Sequence, residues 1–215
     1  MSEGRIKPNG VQRVLAVCGI IGPVLFIIVL VTLGLLRPGY SHITQSMSEL
    51  GEVGAPNAII MNIAGFILLG HLMVAFAFGL HRGISEGRGS KIGPALVAVS
   101  GTALVMTGIF PCDPGCVDVS MVGIAHSVFA VIATFAMILA PLAIFPRLKG
   151  DNRWQSYLAY SLATVVVALT LSAVYGLNVF EQWKGALQRI SMSVPLLWIE
   201  IMAIRLLRLS IRSST

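Results

Sequence analysis

Six stretches of this chain run for roughly 18 residues or more with almost no charge, and nothing else in it constrains the fold as much. A helix rises about 1.5 Å per residue, so each stretch matches a hydrocarbon layer about 30 Å thick. The stretches are residues 14–36, 57–80, 92–110, 121–145, 154–177 and 190–207. Each is predicted to be a helix, because an open strand in lipid leaves its amide groups without partners. Composition agrees: 56% of residues are apolar and 11% charged, where a soluble domain carries about a quarter charged. The mean hydropathy is +0.86. A soluble enzyme, a disordered chain and a disulfide-rich secreted domain are excluded. What remains is an all-α polytopic membrane protein, residues 1–215 forming one domain of six spans in one bundle. No linker is long enough to separate two domains, and no internal repeat stands out. The first run is too long for a signal-peptide core, and no small-residue cleavage motif closes it, so it is expected to stay in the mature protein.

The cations predict an orientation. Arg5, Lys7, Arg13, Arg82, Arg88, Lys91, Arg147, Lys149, Arg153, Arg205, Arg208 and Arg212 all fall on one side of the predicted layer. Only Arg37, Lys184 and Arg189 fall on the other. The positive-inside rule then puts both termini in the cytoplasm, in a cell inner (plasma) membrane. The net charge of +6 is a topology signal with a modest pull on anionic headgroups. No nucleic-acid partner is expected, because the cations are dispersed rather than gathered on one face. Carboxylates partition the other way, with Glu49, Glu52, Asp113, Asp118 and Glu181 on the outer side.

Polar side chains within or just above the spans are the candidates for function, since lipid gives them no partner. His126 lies about six residues into the fourth span, about 9 Å below its outer end, and Asn62 sits at a similar depth in the second. Above them, the long first loop carries Ser46 and Glu49 at capping-box spacing, with Gly51 placed to end a short surface helix. Ser46, Glu49, Asn62, Tyr175 and Asn178 are therefore candidate ligand-binding residues, with Ser172, Ser191 and Ser193 nearby. Three readings of this outer cluster stay open. His126 ties its span to the outer loops through Asp113 or a backbone carbonyl. Or the cluster is a pocket for a lipid headgroup or small amphiphile. Or it is hydrolytic, with Ser48 or Ser46 as nucleophile, His126 as base and Asp113 or Glu49 orienting it. A zinc version would use His126, His42 and a carboxylate around a bound water. No Gly-x-Ser-x-Gly elbow or His-Glu-x-x-His helix supports catalysis.

Other polar positions carry blander expectations. His71 lies about 21 Å from the outer end of its span and is expected to make a buried helix-to-helix hydrogen bond; haem has no second axial donor in view. Glu200, near mid-span after Pro195, is expected to be protonated or paired with His71, with proton-coupled transport a further alternative. Cys112 and Cys116 flank Asp113-Pro114-Gly115 and are spaced to close a disulfide around that turn, while Cys18 reads as packing. Two thiolates make a poor metal site, so no metal ligand set is assigned. Ala75 with Gly79, and Gly101 with Gly108, suit close helix packing, within the chain or in a homo-oligomer.

The run from Tyr40-Ser41 through Ser48-Glu49-Leu50-Gly51, followed by Pro56, Asn62, Gly65 and Gly70, resembles a prokaryotic six-helix membrane family catalogued as domain of unknown function 998. Gly108-Ile109-Phe110-Pro111-Cys112-Asp113 and then His126 fit the same pattern, so the resemblance covers nearly the whole chain. The cysteine pair departs from the general pattern. The resemblance implies a six-span bundle and no established reaction. Its Ser48, Glu49, Asn62, Asp113 and His126 coincide with the outer cluster. A serine, aspartate and histidine set is also distantly similar in composition to helical membrane hydrolases acting on lipid amides. The leading expectation is a membrane protein that binds or handles a lipid or small amphiphile. The alternatives are an intramembrane lipid or amide hydrolase and an accessory subunit of a larger membrane complex.

Overall fold

With no water to take up amide groups in the apolar runs, each run satisfies its own backbone, and the computed structural model is all helix and loop among its described residues, 10–87 and 91–212. Six helices are long and apolar enough to cross a membrane. We label them α1 (Gly10–Leu36), α2 (Ala58–Gly83), α3 (Ile92–Ile109), α4 (Met121–Lys149), α5 (Leu158–Gly176) and α6 (Lys184–Arg212). Of the cations used for orientation, Arg5, Lys7 and Arg88 lie outside the described residues.

The helices run alternately up and down, so loops 37–57, 110–120 and 177–183 share one end, called upper here. The described chain ends, residues 84–87 and loop 150–157 share the lower end. Each helix packs on the next, and α6 closes the ring against α1. Glycines set the closest approach: a Cβ on Gly101 would stand 2.6 Å from the Gly70 carbonyl oxygen, and one on Gly108 would stand 2.7 Å from that of Asn62. The α2–α3 contact is therefore nearly backbone on backbone, and Gly101 and Gly108 serve packing inside the chain. Large side chains fill the middle; Phe76, Met137, Ile144 and Trp198 are buried, and Trp198 Nε1 donates to Ser161 Oγ at 2.9 Å.

Two local features escape hydropathy. In α2, Met61–Ile67 is π-helical, a wider turn that shifts Asn62 and Phe66 relative to a regular helix. And α6 starts at Lys184, above the apolar run that begins near Ile190. Its polar first turns are held by the first loop: Arg189 gives hydrogen bonds to the carbonyls of His42 (2.8 Å) and Gln45 (2.9 Å), and Gln188 Oε1 accepts from the Met47 amide at 2.6 Å.

The lower end is knitted by charge. Arg147 is 2% exposed; its Nε donates to the Ser85 carbonyl at 2.8 Å and its Nη2 to the carbonyls of His81 and Ile84. Asp151 accepts from the Ser85 amide (3.0 Å) and from Arg153 Nε (2.9 Å) and Nη2 (2.6 Å). Burial pushes the Asp151 carboxyl up, but these donors outweigh it and hold the group below the usual carboxylate range. Arg205 Nη2 reaches the Arg153 carbonyl at 2.7 Å, joining α6 to the same clasp.

Of His71 and Glu200, the first departs from expectation, and for the second only the alternative of pairing with His71 fails. His71 is exposed on the outer face of α2, and its Nδ1 lies 2.8 Å from the Ile67 carbonyl of its own helix. One turn of helix supplies its partner, so no bond to another helix forms. Glu200 is half-buried on α6 and is not paired with His71.

Candidate functional site

The first loop forms a roof over the upper end. Arg37 donates to the Glu49 carbonyl and forms an ion pair with Glu52 at 2.7 Å. Arg189 reaches the Tyr40 hydroxyl from the other side, and both guanidinium carbons stand 5.7 Å from the Tyr40 ring centroid. Small residues let the loop sit low: a Cβ on Gly34 would strike the His42 ring, and one on Gly185 would strike the Gln45 carbonyl. Burial and the Arg189 charge lower the affinity of His42 for a proton. The roof is tied to the second upper loop, since Val53 N donates to Cys112 O at 2.9 Å and Gly115 N to Glu52 Oε2 at 2.6 Å. Cys112 and Cys116 are joined as a disulfide across that turn.

Beneath the roof lies a cavity of about 350 Å³. All six helices contribute to its wall, including Phe26, Phe66, Leu104, His126, Ser172 and Gln188, and Ser46, Met47 and Ser48 come down from the roof. The lining is mainly apolar, with few polar groups, as ligand pockets usually are. Val131 and Phe135 line it and are 55% and 52% exposed on the outer surface of α4. The cavity therefore reaches the lipid-facing surface beside the upper halves of α4 and α5.

His126 is the central polar group, 3% exposed. Its Nδ1 lies 2.8 Å from the Phe110 carbonyl and 3.1 Å from that of Thr107, both at the top of α3. The Phe66 ring, displaced by the π-helical stretch of α2, meets the imidazole edge-on with centroids 6.3 Å apart. This holds the ring and leaves Nε2 buried with no hydrogen-bond partner. Two more lining atoms share that state, Ser46 Oγ and Ser172 Oγ. The Ser46 case has a local reason. Only half of the predicted capping box forms: Glu49 Oε1 accepts from the Ser46 amide at 2.8 Å, while the serine hydroxyl is not used in return.

The other candidates divide. Tyr175 lines the cavity, as do Ser48 and Ser191. Glu49 does not line it; its second oxygen accepts from Gln45 Nε2 at 2.9 Å. Asn62 is a tether, donating from Nδ2 to the Gly51 carbonyl at 2.9 Å. Asn178 is exposed in the turn after α5, at a φ of 50° that asparagine tolerates better than most residues. Asp113 is not beside His126. Its carboxylate accepts from the Ser120 amide (2.7 Å), the Ser120 hydroxyl (2.8 Å) and the Val119 amide (3.0 Å), which secures the start of α4. The Ser120 amide above all holds this carboxyl below its ordinary value. The Ser48–Asp113–His126 relay is accordingly not assembled: backbone carbonyls take the place of the orienting carboxylate, and no serine reaches Nε2. Among the described residues no three His, Cys, Asp or Glu side chains group as a metal would require, so the His126–His42 zinc arrangement is not formed either.

Sequence reasoning missed Gln188 and Lys184. Gln188 lines the cavity while holding the roof, and Lys184, the first residue of α6, lines it near the top. The sequence sets Lys184 apart only as one of the three cations of this end, with Arg37 and Arg189; that it lines the cavity is decided by packing.

Fold and cavity define a multi-pass, six-helix integral membrane protein with a lipid-facing pocket under a loop roof. The chain belongs to the family described as Protein of unknown function (DUF998), which matches residues 20–205. A search of curated proteins and of solved structures finds no match.

Proposed function

We propose that the protein sits in the cell's inner (plasma) membrane with both termini in the cytoplasm, and that its cavity binds or handles a lipid or small amphiphile at the level of the outer leaflet. Three buried, unpartnered polar atoms on the wall of one apolar cavity that reaches the lipid-facing surface carry this reading. Buried polar groups nearly always have partners, so three together in one enclosure point to a partner brought by a ligand. The distribution of cations supports the orientation. The route beside Val131 and Phe135 suits a chain arriving sideways from lipid rather than a solute arriving from water.

Two measurements test this. In phosphatidylcholine vesicles doped with a single-chain amphiphile that carries a diazirine, crosslinks are expected at inward cavity positions such as Leu69, Leu104 and Met192. Crosslinks confined to outward faces such as Ile28 and Phe78 overturn the pocket. For orientation, a cysteine placed at Val119 should react with a membrane-impermeant maleimide on intact cells, and one placed at Gly150 should not; the reverse result overturns the assignment.

A further inference from the structure

The hydrogen-bonding pattern around His126 specifies the headgroup, given the amphiphile reading above. Carbonyl oxygens only accept, and the two carbonyls beside Nδ1 therefore require a proton on that nitrogen. In a neutral ring Nε2 is then an acceptor. A second proton would put an unpaired charge into an apolar enclosure, at high cost. The nearby carboxylates are already engaged: Asp118 accepts from Ser127 Oγ at 2.6 Å, Glu49 from Ser46 and Gln45, and Asp113 from Ser120 and Val119. Nε2 thus presents a lone pair with nothing to receive, and satisfying it takes a hydrogen-bond donor. The hydroxyls of Ser46 and Ser172, lining the same cavity, each give one proton and take another.

We infer that the cavity recognises an uncharged, hydroxyl-bearing headgroup on a single-chain amphiphile, such as a long-chain alcohol or a monoacyl glyceride. The ligand hydroxyl donates to His126 Nε2 and accepts from Ser46 or Ser172 Oγ. A carboxylate or a phosphodiester anion has no proton to give and sets its charge against the Nε2 lone pair. A methyl ether accepts but does not donate. A space of about 350 Å³ compares with about 30 Å³ for one water molecule in the liquid. That is room for one headgroup and the beginning of one chain, the rest leaving past Val131 and Phe135.

The test uses the full chain in phosphatidylcholine nanodiscs and three probes of equal chain length: tetradecanol, its methyl ether and tetradecanoate at pH 8. Each probe competes against a diazirine-bearing tetradecanol, read as loss of crosslinking at the inward lining residues Leu104 and Met192. The alcohol should compete at least about tenfold better than the ether, the value of one good hydrogen bond. Tetradecanoate should compete no better than the ether. His126→Leu should erase the preference for alcohol while ether competition persists, and His126→Gln, which keeps an acceptor, should restore part of it. Ser172→Ala, which leaves the imidazole in place, should lower the preference without abolishing it. Equal competition by alcohol and ether overturns the headgroup inference and leaves the amphiphile pocket standing. Tetradecanoate competing best overturns it in favour of an anion held by Lys184. If the labelled probe does not crosslink at the cavity at all, both readings fall.

Discussion

Arg147 and His126 sit on the same helix and are almost equally buried, but their surroundings treat them in opposite ways. At the lower end the Arg147 guanidinium meets the carbonyls of Ser85, His81 and Ile84, and Asp151 beside it is met by two amides and a guanidinium. At the upper end His126 has one nitrogen well held and the other with nothing, and two hydroxyls of the same cavity share that condition. Such atoms occur at the lower end too, Trp154 Nε1 among them, but Trp154 does not line that cavity. A satisfied polar network rigidifies; an unsatisfied one costs folding free energy and persists where something else uses it. The lower clasp thus serves stability, and on the function proposed above the upper cavity gives up stability for binding.

The comparison would break most visibly at Arg147. Arg147→Met takes its donor from three carbonyls, that of buried Ile84 among them, and should cost about 3 kcal/mol, read as a lowered unfolding midpoint in detergent. A loss as small as that of a surface substitution would mean the clasp does not hold the lower end. Arg189→Met should cost somewhat less, about 2 kcal/mol, and should also weaken amphiphile crosslinking, because the roof above the cavity loses its staple. Arg189→Lys should rescue little, since an ammonium does not reproduce the fork that spans several acceptors.

Acid sharpens the contrast. The Asp151 carboxyl is held below its unfolded value, so its contribution is present above about pH 4 and is lost as pH falls through the folded value. Thermal unfolding followed from pH 7 downward should show wild type losing stability below about pH 4. Asp151→Asn should start lower and change less over that range. Parallel curves for the two proteins would remove Asp151 from the acid response.

The smallest effect has the opposite sign. Ser172→Ala deletes a buried hydroxyl that has no partner, so the ligand-free protein should keep its stability or gain up to about 1 kcal/mol. A clear loss would show that the hydroxyl is already satisfied in the folded protein, and the contrast between the two ends would weaken.

Much of this was open to reading from the chain alone, and the residues that were misread share a cause. The six spans follow from hydropathy because lipid leaves a backbone no alternative to the helix. His126, Ser46 and Tyr175 were nominated because polarity within or just above the spans needs a reason. Asp113, Glu49 and Asn62 were nominated on the same ground, but they serve the loops: one secures α4, one caps a turn under the roof, one tethers the roof to α2. Depth along a helix says that a polar group must find a partner; it does not say whether the partner is across the bundle or one turn away, as His71 shows.

By itself, then, the order of residues determined the number of crossings, the helical class and the segregation of charge between the two ends, because each depends on free energies of transfer that accrue segment by segment. Only the tertiary structure decided which imidazole nitrogen is left unbonded, that the π-helical stretch brings Phe66 to that ring, and that Gln188 and Lys184 join the cavity wall. These are matters of rotation about helix axes and of distances between segments far apart in the chain, and packing of all six helices is what sets them.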